Sequence, residues 1–206
     1  AKRKLQKQKN RKVAEGTMRL IPQSHSVKVP KVDAAPKKMI EVFCGQAGLA
    51  AELQKFGIVV VGIDCKENKD IPKVKTLTLD LTTDADQKAF WALVWQGNVC
   101  YVHFGVPCGT ASKAREIRLS KKEGASNEPV PLRSDDQPDG IAGLSHIDEK
   151  RVAAANTLYK FVGEAIVQLS QAGIKWSVEN PQNSILWKTS WFAIAERLLG
   201  DRKKEF

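Results

Sequence analysis

The stretch Val102-His103-Phe104-Gly105-Val106-Pro107-Cys108-Gly109-Thr110-Ala111-Ser112 decides how the rest of the chain is read. Residues 98–106 are rich in β-branched and aromatic side chains, which suits a buried strand, and Gly105 with Pro107 ends it. A single cysteine, Cys108, then stands in the turn. Open α/β sheets hold their ligands at the carboxyl ends of the strands, so the pattern reads as a strand delivering a nucleophile. The plain alternative for one cysteine is a small buried residue. Two further stretches tip the balance toward the nucleophile: Glu41-Val42-Phe43-Cys44-Gly45-Gln46-Ala47-Gly48-Leu49 upstream and Trp176-Ser177-Val178-Glu179-Asn180-Pro181 downstream.

Outward from this strand, the punctuation is that of an α/β domain. Residues 39–43 form a short apolar strand, and the turn at 45–48 leads into a helical pattern at Leu49, Leu53 and Phe56 that stops at Gly57. Residues 58–63 read as a second buried strand ending in Asp64, and residues 74–79 as a third ending in Asp80. Asp84 is placed to cap a helix carrying Phe90, Leu93 and Val94. A fourth strand follows at 99–104. A long helix over about 148–171 sets Val152, Tyr159, Val162, Ile166 and Leu169 on one stripe, and a fifth strand at 174–178 follows Gly173. Strands alternating with helices imply a doubly wound, mostly parallel sheet with right-handed crossovers.

Composition bounds the function. The 206 residues suit one domain with tails, and 42% hydrophobic content is enough for a core. Apolar runs such as 56–63 fall far short of a bilayer span, and the amino end is basic rather than signal-like, so no membrane partner is expected. The cysteines at 44, 65, 100 and 108 include no CxxC pair and no zinc spacing with histidine. No metal is expected, and reduced thiols point to an intracellular setting.

The net charge of +10 is unevenly placed, because twelve of the 33 basic residues but only Glu15 and Asp33 of the 23 acidic ones precede residue 39. The remaining 21 basic and 21 acidic residues leave the body, 39–206, neutral. A basic arm over 1–38 suits nucleic acid or another anionic surface, with a localisation signal or solubilising tail as alternatives. Within it, residues 1–13 are low-complexity and expected to be disordered until bound, and residues 16–36, with Pro22, Pro30 and Pro36, read as an extended linker. The first methionine is Met18, so the chain reads as excised from something longer.

In a parallel sheet, the strand-end residues form one set: Phe43, Gly45 and Gly48; Asp64; Asp80; Pro107 and Cys108; Glu179 and Asn180. Glycines let backbone approach a ligand, and an acid after the second strand suits ribose hydroxyls. A GxGxxG pattern is absent and no Lys-Ser/Thr follows, which argues against a P-loop. The acids disfavour a polyphosphate and suit a cationic nucleoside, though either acid alone also reads as a cap or solvated strand end.

With these residues in view, the chain resembles the DNA (cytosine-5)-methyltransferase family over residues 39 to about 187. Glu41-Val42-Phe43-Cys44-Gly45-Gln46-Ala47-Gly48 is similar to its cofactor turn, and Pro107-Cys108-Gly109-Thr110-Ala111-Ser112 to its nucleophile motif, Pro-Cys-Gln-x-x-Ser. Asn156-Thr157-Leu158-Tyr159 resembles its Arg-Asn-x-Leu-Phe motif, and Glu179-Asn180 its Glu-Asn-Val motif. These four matches run in family order.

The resemblance implies a Rossmann-like methyltransferase fold that binds S-adenosylmethionine. Phe43, Gly45, Gly48, Asp64 and Cys65 would contact the cofactor, as would Asp80, Leu81, Pro107, Asn156 and Leu158. Cys108 would add to cytosine C6 while Glu179 serves N3, the two catalytic residues. Ser112, Arg115 and Asn180 would meet the substrate, with Asn180 fixing the cysteine loop. Lys113 and Arg118 are further phosphate contacts or a solvated face; Trp187 and Trp191 suit base stacking less well than core packing. DNA is the expected partner in a nuclear or nucleoid setting. RNA stays open, since a branch of the family modifies transfer RNA.

Departures bear on the pocket. Ala47 replaces a turn glycine, a small change if its φ is negative; Gly109 replaces Gln and Pro181 replaces Val. Residues 119–147 read as a mobile loop that closes on substrate. The family's later Gln-x-Arg-x-Arg motif and target-recognition domain have no counterpart here, so the domain reads as truncated, with a carboxyl-terminal half or partner chain supplying recognition. A nucleic-acid-binding relic without turnover is the alternative of another class.

Overall fold

The computed structural model describes residues 36–66, 68–117 and 129–200. The basic arm apart from its last three residues, Arg118 and residues 119–128 of the 119–147 segment lie outside these, and so do the expectations made of them.

Five strands form one sheet, every pair parallel: β1 (Lys38–Val42), β2 (Val59–Asp64), β3 (Thr76–Thr78), β4 (Val99–Gly105) and β5 (Lys175–Glu179), in the order β3-β2-β1-β4-β5. Four α-helices accompany them among the described residues: α1 (Gly48–Lys55), α2 (Asp84–Val94), α3 (His146–Gln171) and α4 (Ser190–Leu199). No helix among them is long and apolar enough to cross a membrane. The strand order is compatible with a Rossmann-like α/β fold.

Strand alternation sorts the core into two layers. Ile40, Val42, Ile63, Val102 and Phe104 pack with Phe90 and Val94 of α2 and with Tyr159, Val162, Ile166 and Leu169 of α3. The opposite parity, Met39 and Val60, packs with Ala50 and Leu53 of α1. Covering both faces is what an all-parallel sheet requires, and it explains why these strands read as apolar runs. The expected stripe on α3 is buried throughout, from Val152 to Leu169.

Boundaries moved where capping side chains decide them. Asp84 is the first helical residue and Thr83 the cap, its hydroxyl accepting from the Asp86 N–H. Helix α3 starts two residues earlier than expected, because Ser145 Oγ accepts from the Asp148 N–H and donates to the Asp148 carboxylate. Strand β1 stops at Val42, since Phe43 takes a φ of +58°.

Helix α4 was not anticipated. It packs on α3 at Gly163, where an added Cβ would stand 3.1 Å from the Trp191 carbonyl oxygen and 3.2 Å from its Cβ. Replacing a helical glycine by alanine ordinarily stabilises by about 1 kcal/mol. Here Gly163→Ala must push backbone away and should instead destabilise by about 1–3 kcal/mol. Urea unfolding at constant m-value reads the sign; a gain in stability would show that the two helices do not meet at this point.

Candidate active site

The chain runs outward from β1 to β3 and then returns to the other side of β1, so the reversal falls between β1 and β4. A crevice opens there at the carboxyl edge of such sheets. The turn after β1 and the Cys108 turn after β4 flank it. They are held close by Gly105, where a Cβ would stand 3.2 Å from the Phe43 carbonyl oxygen. Only glycine lets the backbones approach in this way.

On the β1 side the turn is strained and carboxylate-bound. Phe43, Gly45 and Ala47 have φ values of +58°, +53° and +52°. The expectation of a harmless Ala47 on a negative φ is therefore corrected: left-handed backbone costs alanine about 1–2 kcal/mol. Buried Glu41 accepts from the Ala50 N–H at 2.7 Å and so caps α1, whose own N-cap, Ala47, has no side chain to do so. Asp64 accepts from the Gly45 N–H and, at 2.8 Å, from the Cys65 N–H. Asn68 and the Lys73 N–H tie the carbonyls of Gly45 and Gln46.

Other residues of the set have more local duties. Asp80 Oδ1 accepts from the N–H and hydroxyl of Thr82, which is the turn-capping alternative. Leu81 is buried in the core. Leu158 packs against it from α3, and Asn156 of the same helix has its amide engaged by Arg133 and the Asp139 carbonyl.

On the β4 side the chain turns through Cys108, whose carbonyl accepts from the Ala111 and Ser112 N–H groups at 2.9 and 2.8 Å. Ser112 caps the short 3-10 turn Lys113–Glu116. Asn180 donates to the Val106 carbonyl at 2.7 Å and so ties the end of β5 to the segment entering this turn. Its Oδ1 is buried without a partner among the described residues. Glu179 stands opposite Gly105 in the β4–β5 register, exposed at the same edge as half-buried Cys108. Arg115 donates to the Val130 and Gly109 carbonyls, and Lys113 shares exposed Asp135 with Lys188. Trp187 lies edge-on to Phe192 and donates to the Pro181 carbonyl, a packing role.

The cysteines are not equivalent. Cys44 is buried, and burial, then the charges of Asp64 and Glu41, pushes its thiol up to about 12. A thiol so raised is no nucleophile near neutral pH.

Several neighbours were not read as site residues in the sequence. His103 Nδ1 lies 2.7 Å from Ser177 Oγ; burial lowers its pKa while the Glu179 charge opposes this. Tyr159 donates from beneath the turn to the Pro107 carbonyl at 3.0 Å, and Arg133 sits beside it. Glu41 was legible only as part of a motif. Among the described residues, no group of three His, Cys, Asp or Glu side chains is placed to hold a metal.

Neither a protein-family model nor a curated protein matches the chain.

Burial raises Glu41 above the usual carboxylate range, against the lowering effect of the Ala50 and Leu49 N–H groups. The folded state therefore keeps this proton to higher pH than the unfolded chain, giving stability at low pH that is lost as pH rises through the raised value. Glu41→Gln cannot titrate, so it should gain on the parent as pH rises from the ordinary carboxylate value through the raised one. Glu41→Ala, which leaves a buried N–H unanswered, should cost about 1–3 kcal/mol across the range. Urea midpoints check both; a parent-to-Gln difference that does not change with pH would contradict the first.

Proposed function

We propose that this chain is a cytosine-5 methyltransferase domain that uses S-adenosylmethionine and acts on DNA through a covalent bond from Cys108 to the base. One juxtaposition carries the reading. The turn after β1 and the Cys108 turn after β4 are neighbours at the reversal of strand order, with Asp64 and Glu179 ending the flanking strands.

The residues suit the cofactor. Nothing lies within 4 Å of where a Cβ on Gly48 would stand, so a ligand can reach the backbone there. Glu41 answers the positive end of α1 and Asp64 adds a second carboxylate, which suits a cation and opposes a phosphate. Asp64 would take the ribose hydroxyls and the 43–48 backbone the remainder. When bound, the cofactor supplies an electrophilic methyl group.

Cytosine C5 is too weak a nucleophile to take a methyl unaided. Cys108 thiolate bonds to C6, the C5–C6 electron pair becomes available at C5, and Glu179 delivers its proton to N3. After C5 is methylated, loss of its proton to a base, expulsion of the thiolate and return of the N3 proton to the Glu179 carboxylate restore the ring. A stacked cytosine offers neither face to a thiol, so the base leaves the duplex. The exposed Lys113 pair with Asp135 is weak enough to exchange for a phosphate.

A second reading, nucleic-acid binding without turnover, draws on Asp64: both its oxygens already accept backbone N–H groups. One experiment separates the two. An oligonucleotide with 5-fluorocytosine cannot lose its C5 substituent, so with cofactor it should be trapped as a denaturant-resistant adduct at Cys108 and not at Cys44. Cys108→Ser should abolish the adduct and keep cofactor binding; Asp64→Ala should weaken cofactor binding by about ten- to a hundredfold in calorimetry. An adduct on RNA alone would change the substrate, and none on either nucleic acid would leave the binding reading.

A further inference from the structure

We propose that Arg133 positions the Cys108 turn through a one-way chain of hydroxyl groups, an inference that rests on reading Cys108 as the nucleophile. Arg133 is 2% exposed, and none of the ion pairs among the described residues involves it. The Asp139 charge acts on it only from beyond ion-pair distance, so among the described residues the buried cation lacks a direct carboxylate partner. Such a charge is expensive, and a neutral side chain could fill the same space at lower cost.

Its bonds show where that cost is directed. Arg133 Nε and Nη2 both donate to Thr110 Oγ1, at 3.2 and 3.0 Å, while Nη1 donates to the Pro138 carbonyl and to Asn156 Oδ1, each at 2.8 Å. The guanidinium carbon lies 4.9 Å from the Tyr159 ring centroid, within cation–π range. The Tyr159 hydroxyl lies 3.2 Å from Thr110 Oγ1 and 3.0 Å from the Pro107 carbonyl.

The two ends set the proton order. A guanidinium only donates and a carbonyl only accepts. Thr110 therefore accepts from Arg133 and donates to Tyr159, and Tyr159 donates to Pro107. Both free rotors are committed. The residues bracketing Cys108, Pro107 on one side and the Gly109-Thr110 step on the other, are fixed from a single buried cation. Asn156 extends the anchor: its amide donates to the Asp139 carbonyl, and the Asp139 carboxylate accepts from the Ser190 N–H at the start of α4. Arg133 touches no reacting atom in this scheme; it is a positioning residue.

The test compares Thr110→Val, which keeps shape without the hydroxyl, with Thr110→Ser, which keeps the hydroxyl; Tyr159→Phe and Arg133→Met complete the set. Native full-length chains are alkylated with iodoacetamide and mapped, with Cys100 as internal reference. Adduct formation on 5-fluorocytosine DNA is followed in single turnover at saturating DNA and cofactor. Thr110→Val and Tyr159→Phe should speed Cys108 alkylation relative to Cys100 by about tenfold and slow the adduct by a similar factor, as for one lost hydrogen bond. Cofactor affinity should stay at the parent value, and Thr110→Ser should restore both rates. Because the Thr110 pair carries the comparison, a failure of Arg133→Met to fold does not decide it. Parent-like alkylation in both Thr110→Val and Tyr159→Phe overturns the proposal. If alkylation responds but the parent forms no adduct, the positioning of the turn stands and the methyl-transfer reading falls.

Discussion

Strand β1 is hydrogen-bonded on both sides, to β2 and to β4, and everything at the candidate site follows from that double pairing. A strand so enclosed can leave the sheet only through the gap between its neighbours' ends. The gap is narrow: Gly62 of β2 has no room for a Cβ beside Thr76 and Cys44, and Gly105 of β4 lies against the Phe43 carbonyl. The chain escapes by three left-handed residues in five, two of them not glycine. Such backbone persists only where its surroundings over-determine it. Here the fixed points are the sheet below, the Glu41 bond to α1 and the Asp64 bond to Gly45.

The same constraint explains what the sequence disclosed and what it hid. Strands enclosed on both faces are apolar runs, so β1, β2 and β4 were legible, and with them the strand ends that carry Asp64 and Cys108. Short-range capping was partly legible. Ser145 with Asp148 is a local pattern, yet the start was read at the acid rather than at the serine whose oxygen closes the turn.

Long-range capping was not legible at all. Helix α4 has no side-chain cap of its own; the N–H of Ser190 is answered by Asp139, 51 residues away. Arg133 stands in a Pro-, Asp- and Gly-rich segment that reads as loop, and its partners Thr110 and Asn156 lie 23 residues to either side. Nothing in a window of helical or strand length signals such a residue. The described part of the segment expected to be mobile, residues 129–147, is anchored near its start by buried Leu132 and Arg133. Sequence pattern reports which surfaces need burying; it is silent about which distant donor will satisfy a given acceptor.

The charge at the crevice then discriminates among ligands more sharply than the glycine spacing does. A helix beginning just after a glycine-containing turn is ordinarily an anion site, because its first N–H groups are unanswered and carry partial positive charge. In this chain Glu41 already occupies the Ala50 N–H from inside the sheet, and Asp64 occupies that of Gly45. A phosphate would have to displace two carboxylates while meeting their repulsion at short range, a double penalty in a half-buried site. A ligand that brings positive charge faces neither cost and can still offer hydroxyls to Asp64, whose oxygens retain lone pairs beyond the N–H bonds they accept. The carboxylates that hold the strained turn in place thus also oppose an anion beside it.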